Sequence, residues 1–443
     1  MGRTCIYPAV LLCLSMASLV LGLLHGSPPF TFSHEPFLTV WNAPTALCKS
    51  RFGVDLDLSV FNIVHNQNQS FMGANMTIFY KDKLGRYPRY AYNQAVFGGV
   101  PQNSSLSEHL RAAAEDIRAS LPNRDFQGLA VVDWEDWRPL WERNWDTKAV
   151  YWEASRVLVR AKHPDWSPAQ VEVVARKEFE AAGWKYMEET LRLGQKARPQ
   201  GQWGFYGFPQ CYNYYKNSTN YTGECPPLEI KRNDELFWLW NASSTLYPDM
   251  YLDLNMRGLG KEILFYTKHR VLEAMRVGAQ VTPRAPAVIV YARIVYTFSL
   301  DFLSQEDLVH TIGEGAALGA AGVVLWGDSM YAKSQASCEA VKAYVDETLG
   351  HYLVNVTSAA TLCSRIVCSS QGRCQRRDPN SGAYLHLDPA AWTVVSVKRP
   401  QGGKDYRVLG RLNRPEAVYM EAQFVCQCYP GWGGEHCAKT LQR

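Results

Sequence analysis

Twelve cysteines are more than a cytosolic chain of 443 residues leaves unexplained, and they restrict this sequence more than any other feature it carries. Two of them, Cys5 and Cys13, fall in a leader. Arg3 precedes an apolar run from Ala9 to Leu24, interrupted only by Cys, Ser and Gly, and Gly26, Ser27, Pro28 and Pro29 follow it. The run is 16 residues long, short of the ~20 that a membrane helix needs. Residues 1–26 therefore read as a secretory signal cut near Gly22 or Gly26, and no second apolar run follows. Cys48, Cys211, Cys225, Cys338, Cys363, Cys368, Cys374, Cys426, Cys428 and Cys437 remain, an even set in an exported chain that predicts five disulfides. Spacing alone leaves their connectivity open.

Glycosylation acceptors agree with export. Asn103, Asn220 and Asn355 start Asn-x-Ser/Thr triplets, as do Asn68, Asn75, Asn217 and Asn241. The end of the chain, Lys439 to Arg443, lacks the hydrophobic tail of a lipid-anchor signal, so no membrane anchor is expected. Lys and Arg number 46 against 42 Asp and Glu, a balance of +4 that provides no basic stripe for nucleic acid. With 47% hydrophobic residues the chain can bury a large core. Fourteen Trp and 24 Tyr suit a cleft lined with flat, amphipathic rings as well as they suit that core.

From about Ser27 to Leu362, helical and strand-like runs alternate. Ser105 stands three residues before Glu108 as a capping box, and Leu110, Ala113, Ile117 and Leu121 follow at helical spacing up to Pro122. Ser167 and Pro168 open a longer helix, and Ser304 with Asp307 a third. Short apolar runs follow or precede them: Leu129 to Val132, Trp203 to Phe208, Val288 to Tyr296, and Gly322 to Trp326. Strands apolar on both faces and separated by helices predict a parallel sheet covered on both sides. More than 300 such residues without a Gly-rich dinucleotide fingerprint predict an α/β fold closed into a barrel, over residues 27–362. The G-x-S-x-G, H-E-x-x-H and G-x-x-x-x-G-K-[ST] signatures are all missing, so no metal or cofactor is expected.

The sharpest chemical signal lies in Gly128 to Pro139, G-L-A-V-V-D-W-E-D-W-R-P. If a strand runs from Leu129 to Glu135, Asp133 and Glu135 project to one side, ~6.5 Å apart, at the C-terminal mouth of the barrel. Two carboxylates so close resist ionising together, and one is kept as an acid. Such a pair suits a glycosidic bond, whose leaving oxygen needs a proton. Leaving one strand two residues apart, they can hardly flank a sugar ring from opposite sides, so the second is poorly placed as nucleophile or base. Trp134, Trp137, Trp141 and Trp145 recur at 3, 4, 4, the spacing of ordinary helix packing.

After Leu362 the character changes to Cys363-x4-Cys368-x5-Cys374 and then Cys426-x-Cys428-x5-Gly434-x2-Cys437. This spacing resembles an EGF-like module. The resemblance implies pairs Cys363–Cys374, Cys368–Cys426 and Cys428–Cys437, and the four remaining cysteines are then read as Cys211–Cys225 and Cys48–Cys338. The 51 residues between Cys374 and Cys426 exceed the module's usual length, so 363–443 reads as an expanded variant.

Larger pieces resemble the vertebrate hyaluronidases, a glycoside hydrolase family that includes the bee-venom enzyme. They include Met76-Thr-Ile-Phe-Tyr80, Gly98-Gly-Val-Pro-Gln-Asn103, Asp133-Trp-Glu-Asp-Trp-Arg-Pro139, Trp203-Gly-Phe-Tyr206, Cys211-Tyr-Asn213 and Gly319-Ala-Ala-Gly-Val-Val-Leu-Trp326. Asn144-Trp-Asp-Thr-Lys148 and the missing anchor tail are most similar to the type 1, acid-active form, which is lysosomal and plasma-borne. The resemblance implies a distorted (β/α)8, TIM-like barrel with an EGF-like module, cutting β-1,4 bonds of hyaluronan, with chondroitin as a further substrate. Glu135 matches the general acid/base and Asp133 the carboxylate that holds the substrate's acetamido group, aided by Tyr251 and Tyr206. Trp326 matches a wall of the reacting subsite, and Tyr80, Arg138 and Arg270 match cleft positions, although both arginines suit internal ion pairs equally. Gln210 and Asp249 depart from the family pattern and suggest that a negative charge has moved within the cleft. The implied protein is a monomer, secreted or lysosomal or both. A hyaluronan-binding receptor that has lost turnover is the competing reading, and intact Asp133, Glu135, Tyr206 and Tyr251 speak against it.

Overall fold

Eight short strands, rich in β-branched and aromatic residues, run parallel to one another: β1 (Leu38–Asn42), β2 (Ile63–Val64), β3 (Met76–Tyr80), β4 (Leu129–Asp133), β5 (Gln202–Phe205), β6 (Thr245–Leu246), β7 (Ala287–Ala292) and β8 (Gly322–Trp326). They belong to a computed structural model that describes residues 35–64, 72–398 and 404–441; the leader and Asn68 lie outside those residues. One sheet has the order β2-β1-β8-β7-β6 and the other β3-β4-β5. A parallel bridge between Tyr206, just past β5, and Tyr247, just past β6, connects them. Their near-continuous burial matches the doubly covered sheet predicted from the apolar runs.

Helices cover these strands, and their caps are those legible in the sequence. Ser105 accepts from the Glu108 N–H at the start of Leu106–Ser120, which buries His109, Ala113 and Ile117. The capping box there is only half made, because the Glu108 carboxylate turns outward to Arg86. Ser167 and Gln170 complete a reciprocal box at the head of Pro168–Ala197, whose Val171, Ala175, Phe179 and Tyr186 face the core. Ser304 and Asp307 form another, but that helix passes at once into a π-turn, Val309–Gly313.

Five disulfides close: Cys48–Cys338, Cys211–Cys225, Cys363–Cys374, Cys368–Cys426 and Cys428–Cys437. The first ties the helix Ala46–Phe52 to the helix Gln335–Tyr344 across 290 residues. The helix Gly350–Val367 carries Cys363 in its last turn, so the chain enters the cysteine-rich segment without a linker. There, strand Gly372–Arg376 pairs antiparallel with Phe424–Cys428. The long gap between them holds a hairpin, Trp392–Lys398 with Lys404–Gly410, and a helix, Arg414–Gln423. It docks on the rest of the chain, with the Tyr406 hydroxyl donating to the Asp346 carbonyl at 3.0 Å. Among the described residues no helix is long and apolar enough to cross a membrane.

One buried ion pair fastens this segment. Arg376 forks onto Glu314 with two 2.9 Å bonds, the side chains being 2% and 1% exposed. Removing one partner strands a desolvated charge. Glu314→Ala is expected to cost about 3–5 kcal/mol, read as a fall in the denaturation midpoint with the disulfide map unchanged; a loss under about 1 kcal/mol would contradict this role.

Candidate active site

Parallel strands bring their C-terminal ends to one side, and there the burial pattern breaks in the same way on three of them. In β3, β4 and β8 the first four residues are buried and the last opens to solvent, and those last residues are Tyr80, Asp133 and Trp326. Tyr80 sits opposite Asp133 in the β3–β4 register. Tyr206 follows β5, its N–H donating to the Val132 carbonyl at 2.9 Å. Tyr251 lies beyond β6, where Asp249 bridges to Tyr291 of β7. Rings of Tyr206 and Tyr251 lie 6.4 Å apart, as do those of Tyr251 and Trp326. The Tyr206 and Tyr251 hydroxyls share a hydrogen bond, and Trp326 is hydrogen-bonded to the Tyr80 hydroxyl. These five residues form one half-buried, largely aromatic surface.

The two carboxylates differ from the sequence expectation in two respects. β4 ends at Asp133, so Glu135 lies in the loop beyond it rather than on the strand. Trp134, between them, turns into the core and stacks on Tyr87. Asp133 is the group pushed up, to about 7, first by burial and then by the neighbouring Glu135 charge, against the opposing pull of Arg138 and Lys81. Desolvation, more than repulsion from its neighbour, is what makes Asp133 reluctant to ionise. The Glu135 side chain, by contrast, is 58% exposed. The tryptophan spacing also finds another use: Trp134 and Trp137 lie in irregular chain and Trp141 in a single 3-10 turn, all packed in the core, while Trp145 is exposed.

Both arginines take internal partners. Arg138 donates to the Glu135 carbonyl at 3.1 Å and lies 3.6 Å from its carboxylate. Arg270 is 3% exposed and donates to Asp249 and to Asn213, with its guanidinium over the Tyr266 ring. It therefore stands behind the cleft surface and does not face it. Asp249, the unusual acid, is neutralised in that pair, and Gln210 is buried and donates to the Gly207 carbonyl. Neither departure leaves a free charge in the cleft. Sequence reading passed over Arg293, which lies just past β7, pairs with Asp328 and covers the rings of Trp326 and Tyr251. Its place after a strand end was the available signal. Of the glycosylation acceptors, Asn75, Asn103, Asn217, Asn220 and Asn241 are exposed, whereas Asn355 is half-buried and accepts from the Leu387 N–H. Among the described residues no group of three or more His, Cys, Asp or Glu is placed to hold a metal ion.

Comparison with known proteins follows this geometry. A family model described as Hyaluronidase matches residues 26–441. Hyaluronidase-1 of Sus scrofa is 47% identical over 425 residues, covering 96% of this chain and 97% of its own. Hyaluronidase-1 of Homo sapiens is 48% identical over 408 residues, covering 92% and 93%. A crystal structure of bee venom hyaluronidase in complex with a hyaluronic acid tetramer aligns with a TM-score of 0.64 at 32% identity, over 72% of this chain and 98% of that one.

The cause assigned to the Asp133 shift can be checked directly. Carboxyl-carbon NMR should place its titration near 7, and Glu135→Gln should lower it, since a neighbouring negative charge is removed. An unchanged or higher value in the variant would contradict the assignment.

Proposed function

This chain belongs to the hyaluronidase family and is a glycoside hydrolase, and on that premise we propose that it hydrolyses the β-1,4 bonds of hyaluronan, and those of chondroitin, with the substrate's own acetamido group as nucleophile. The observation that carries the reading is the placement of Asp133 and Glu135 at one strand end, the first desolvated beside the aromatic surface and the second exposed to solvent beside Arg138. Two carboxylates so close along the chain are poorly placed to flank a sugar ring from opposite faces, so on this reading neither is the attacking group.

The proposed steps balance as follows. The acetamido carbonyl oxygen attacks the anomeric carbon while the glycosidic bond breaks, and Glu135 delivers its proton to the departing oxygen. The acetamido nitrogen gains positive charge and its N–H is held by the Asp133 carboxylate, an electrostatic stabilisation strengthened by exclusion of water. Glu135, now ionised, takes a proton from water as that water attacks the anomeric carbon and reopens the ring. The anomer is retained. In the free enzyme burial favours the protonated form of Asp133. A bound acetamido N–H offers Asp133 a donor that favours its anion, which moves the proton to Glu135, where it is needed. Tyr251 and Tyr206 orient the acetamido sugar, Trp326 and Tyr80 wall it, and Arg138 braces the Glu135 loop.

The same reading assigns residues 1–26 to a cleaved leader, 27–362 to a closed (β/α)8 barrel and 363–443 to an expanded EGF-like module. It describes a glycosylated monomer, secreted or lysosomal or both.

Glu135→Gln should be secreted normally and lose about 10²–10⁴ in rate, since only the proton donor is removed. A reducing-end assay on hyaluronan checks it, and near-wild-type turnover would sink the assignment. The wild-type rate should fall as pH rises through about 7, where the proton held by Asp133 is lost; a rate climbing steadily from pH 5 to 8 would refute it.

A further inference from the structure

Glu135 borders a second neighbourhood. Besides the surface it shares with Asp133, it lines a cavity of about 450 Å3 with Lys81, Tyr90, Tyr92, Lys148 and Tyr151, and none of Asp133, Tyr206, Tyr251 or Trp326 reaches into it. The volume is that of a site for a small ligand or a stretch of polymer.

Its charges are arranged unevenly. Lys81 is paired with Asp136 at 3.3 Å, and Glu135 has Arg138. Lys148, half-buried, donates to the backbone carbonyls of Glu135 and Asp136 and, among the described residues, makes no ion pair. Its ammonium is held by carbonyl oxygens, with the carboxylates of Glu135 and Asp136, which also lines the cavity, farther off. The rim is a hairpin, Arg89–Ala91 with Gln94–Val96, in which Ala91 pairs with Gln94 and leaves a two-residue turn. Tyr92 and Asn93 in that turn have φ of 49° and 62°, the left-handed geometry of a tight hairpin. The turn holds the Tyr92 ring fully in solvent at the cavity's edge, where a flat amphipathic face is free to stack on a sugar.

The geometry points to this cavity as the subsite for the departing half of the polymer, with Lys148 taking the carboxylate of the hexuronate whose oxygen leaves and Tyr92 stacking on a sugar ring. The inference rests on Glu135 as proton donor in the reading above. If Glu135 protonates the leaving oxygen and the acetamido sugar occupies the aromatic surface, the leaving sugar lies on Glu135's other flank. In hyaluronan that sugar is a hexuronate bonded through the carbon next to the one that bears its carboxylate. A cation held against the Glu135 backbone is therefore within a sugar's width of that carboxylate.

Partially carboxyl-reduced hyaluronan, in which some hexuronates have become neutral hexoses, tests this on the full-length enzyme. Each cut exposes the leaving sugar as a new non-reducing end, and mass spectrometry reads its identity. Wild type should expose hexuronate over hexose about tenfold beyond their proportion in the polymer, the worth of one charge-assisted bond. Lys148→Gln should cut in proportion to composition, and Lys148→Arg should keep the preference. A role for Lys148 in merely positioning Glu135 would slow all cuts alike and leave the ratio untouched. Tyr92→Ala should raise KM several-fold with the preference intact, and an unchanged KM would strike the stacking platform from the proposal. A wild type without preference, or a Lys148→Gln enzyme that retains it, overturns the subsite alone, whereas failure of wild type to cut native hyaluronan overturns the catalytic reading with it.

Discussion

A carboxylate withdrawn from water at the end of a parallel strand is the constraint on which this site rests. Asp133 ends β4 where its neighbours end in Tyr80 and Trp326, and burial is the first cause of its reluctance to ionise. An acid so placed is stabilised as an anion only when something supplies a donor to it, the part the proposed mechanism gives to a bound acetamido N–H. Glu135, two residues on, escapes the same fate because β4 stops before it. One strand end thus yields a desolvated group and a solvated one, which is how two identical functional groups come to hold different roles.

Arginines surround this site without competing for it. Arg270 is tied to Asp249, Arg293 to Asp328 and Arg138 to Glu135, each beside an aromatic ring. Their planar guanidinium groups fix the orientation of those rings while their charge is largely neutralised in place. With those charges paired, the cation beside Glu135 that is held by backbone carbonyls is Lys148, the residue to which the proposed subsite assigns the hexuronate carboxylate. The Asp249 and Gln210 departures fit that scheme, since one closes an ion pair and the other a backbone contact.

What the sequence made legible was whatever local rules govern. The caps at Ser105, Ser167 and Ser304, the doubly buried strands and the Asp133/Glu135 pair all follow from spacing and residue type. Less legible was everything decided across the fold. The strand's extension to Glu135 failed because Trp134 is drawn into a core packed by Tyr87 and Phe205, contributed by segments far away in the chain. Arg270 looked like a cleft residue, but Asp249 and Asn213 reach it from other elements. The hairpin inside the Cys374–Cys426 gap has a β-branched run, Thr393, Val394, Val395 and Val397, that a strand rule could have found, had the cysteine spacing not claimed attention first. Lys148 was visible only as part of a resembling stretch, and its position against the Glu135 and Asp136 carbonyls is set by the fold, which no sequence displays.

The central claim is that the substrate, and not the protein, supplies the nucleophile, a proposal that starts from Asp133 and Glu135 lying two residues apart at one strand end. The measurement closest to that claim uses hyaluronan stripped of its N-acetyl groups, offered to the wild-type enzyme alongside the native polymer, with binding and cleavage recorded separately. The account predicts that the stripped polymer still binds and is not cut. Its cleavage at a rate near that of native hyaluronan would contradict the account.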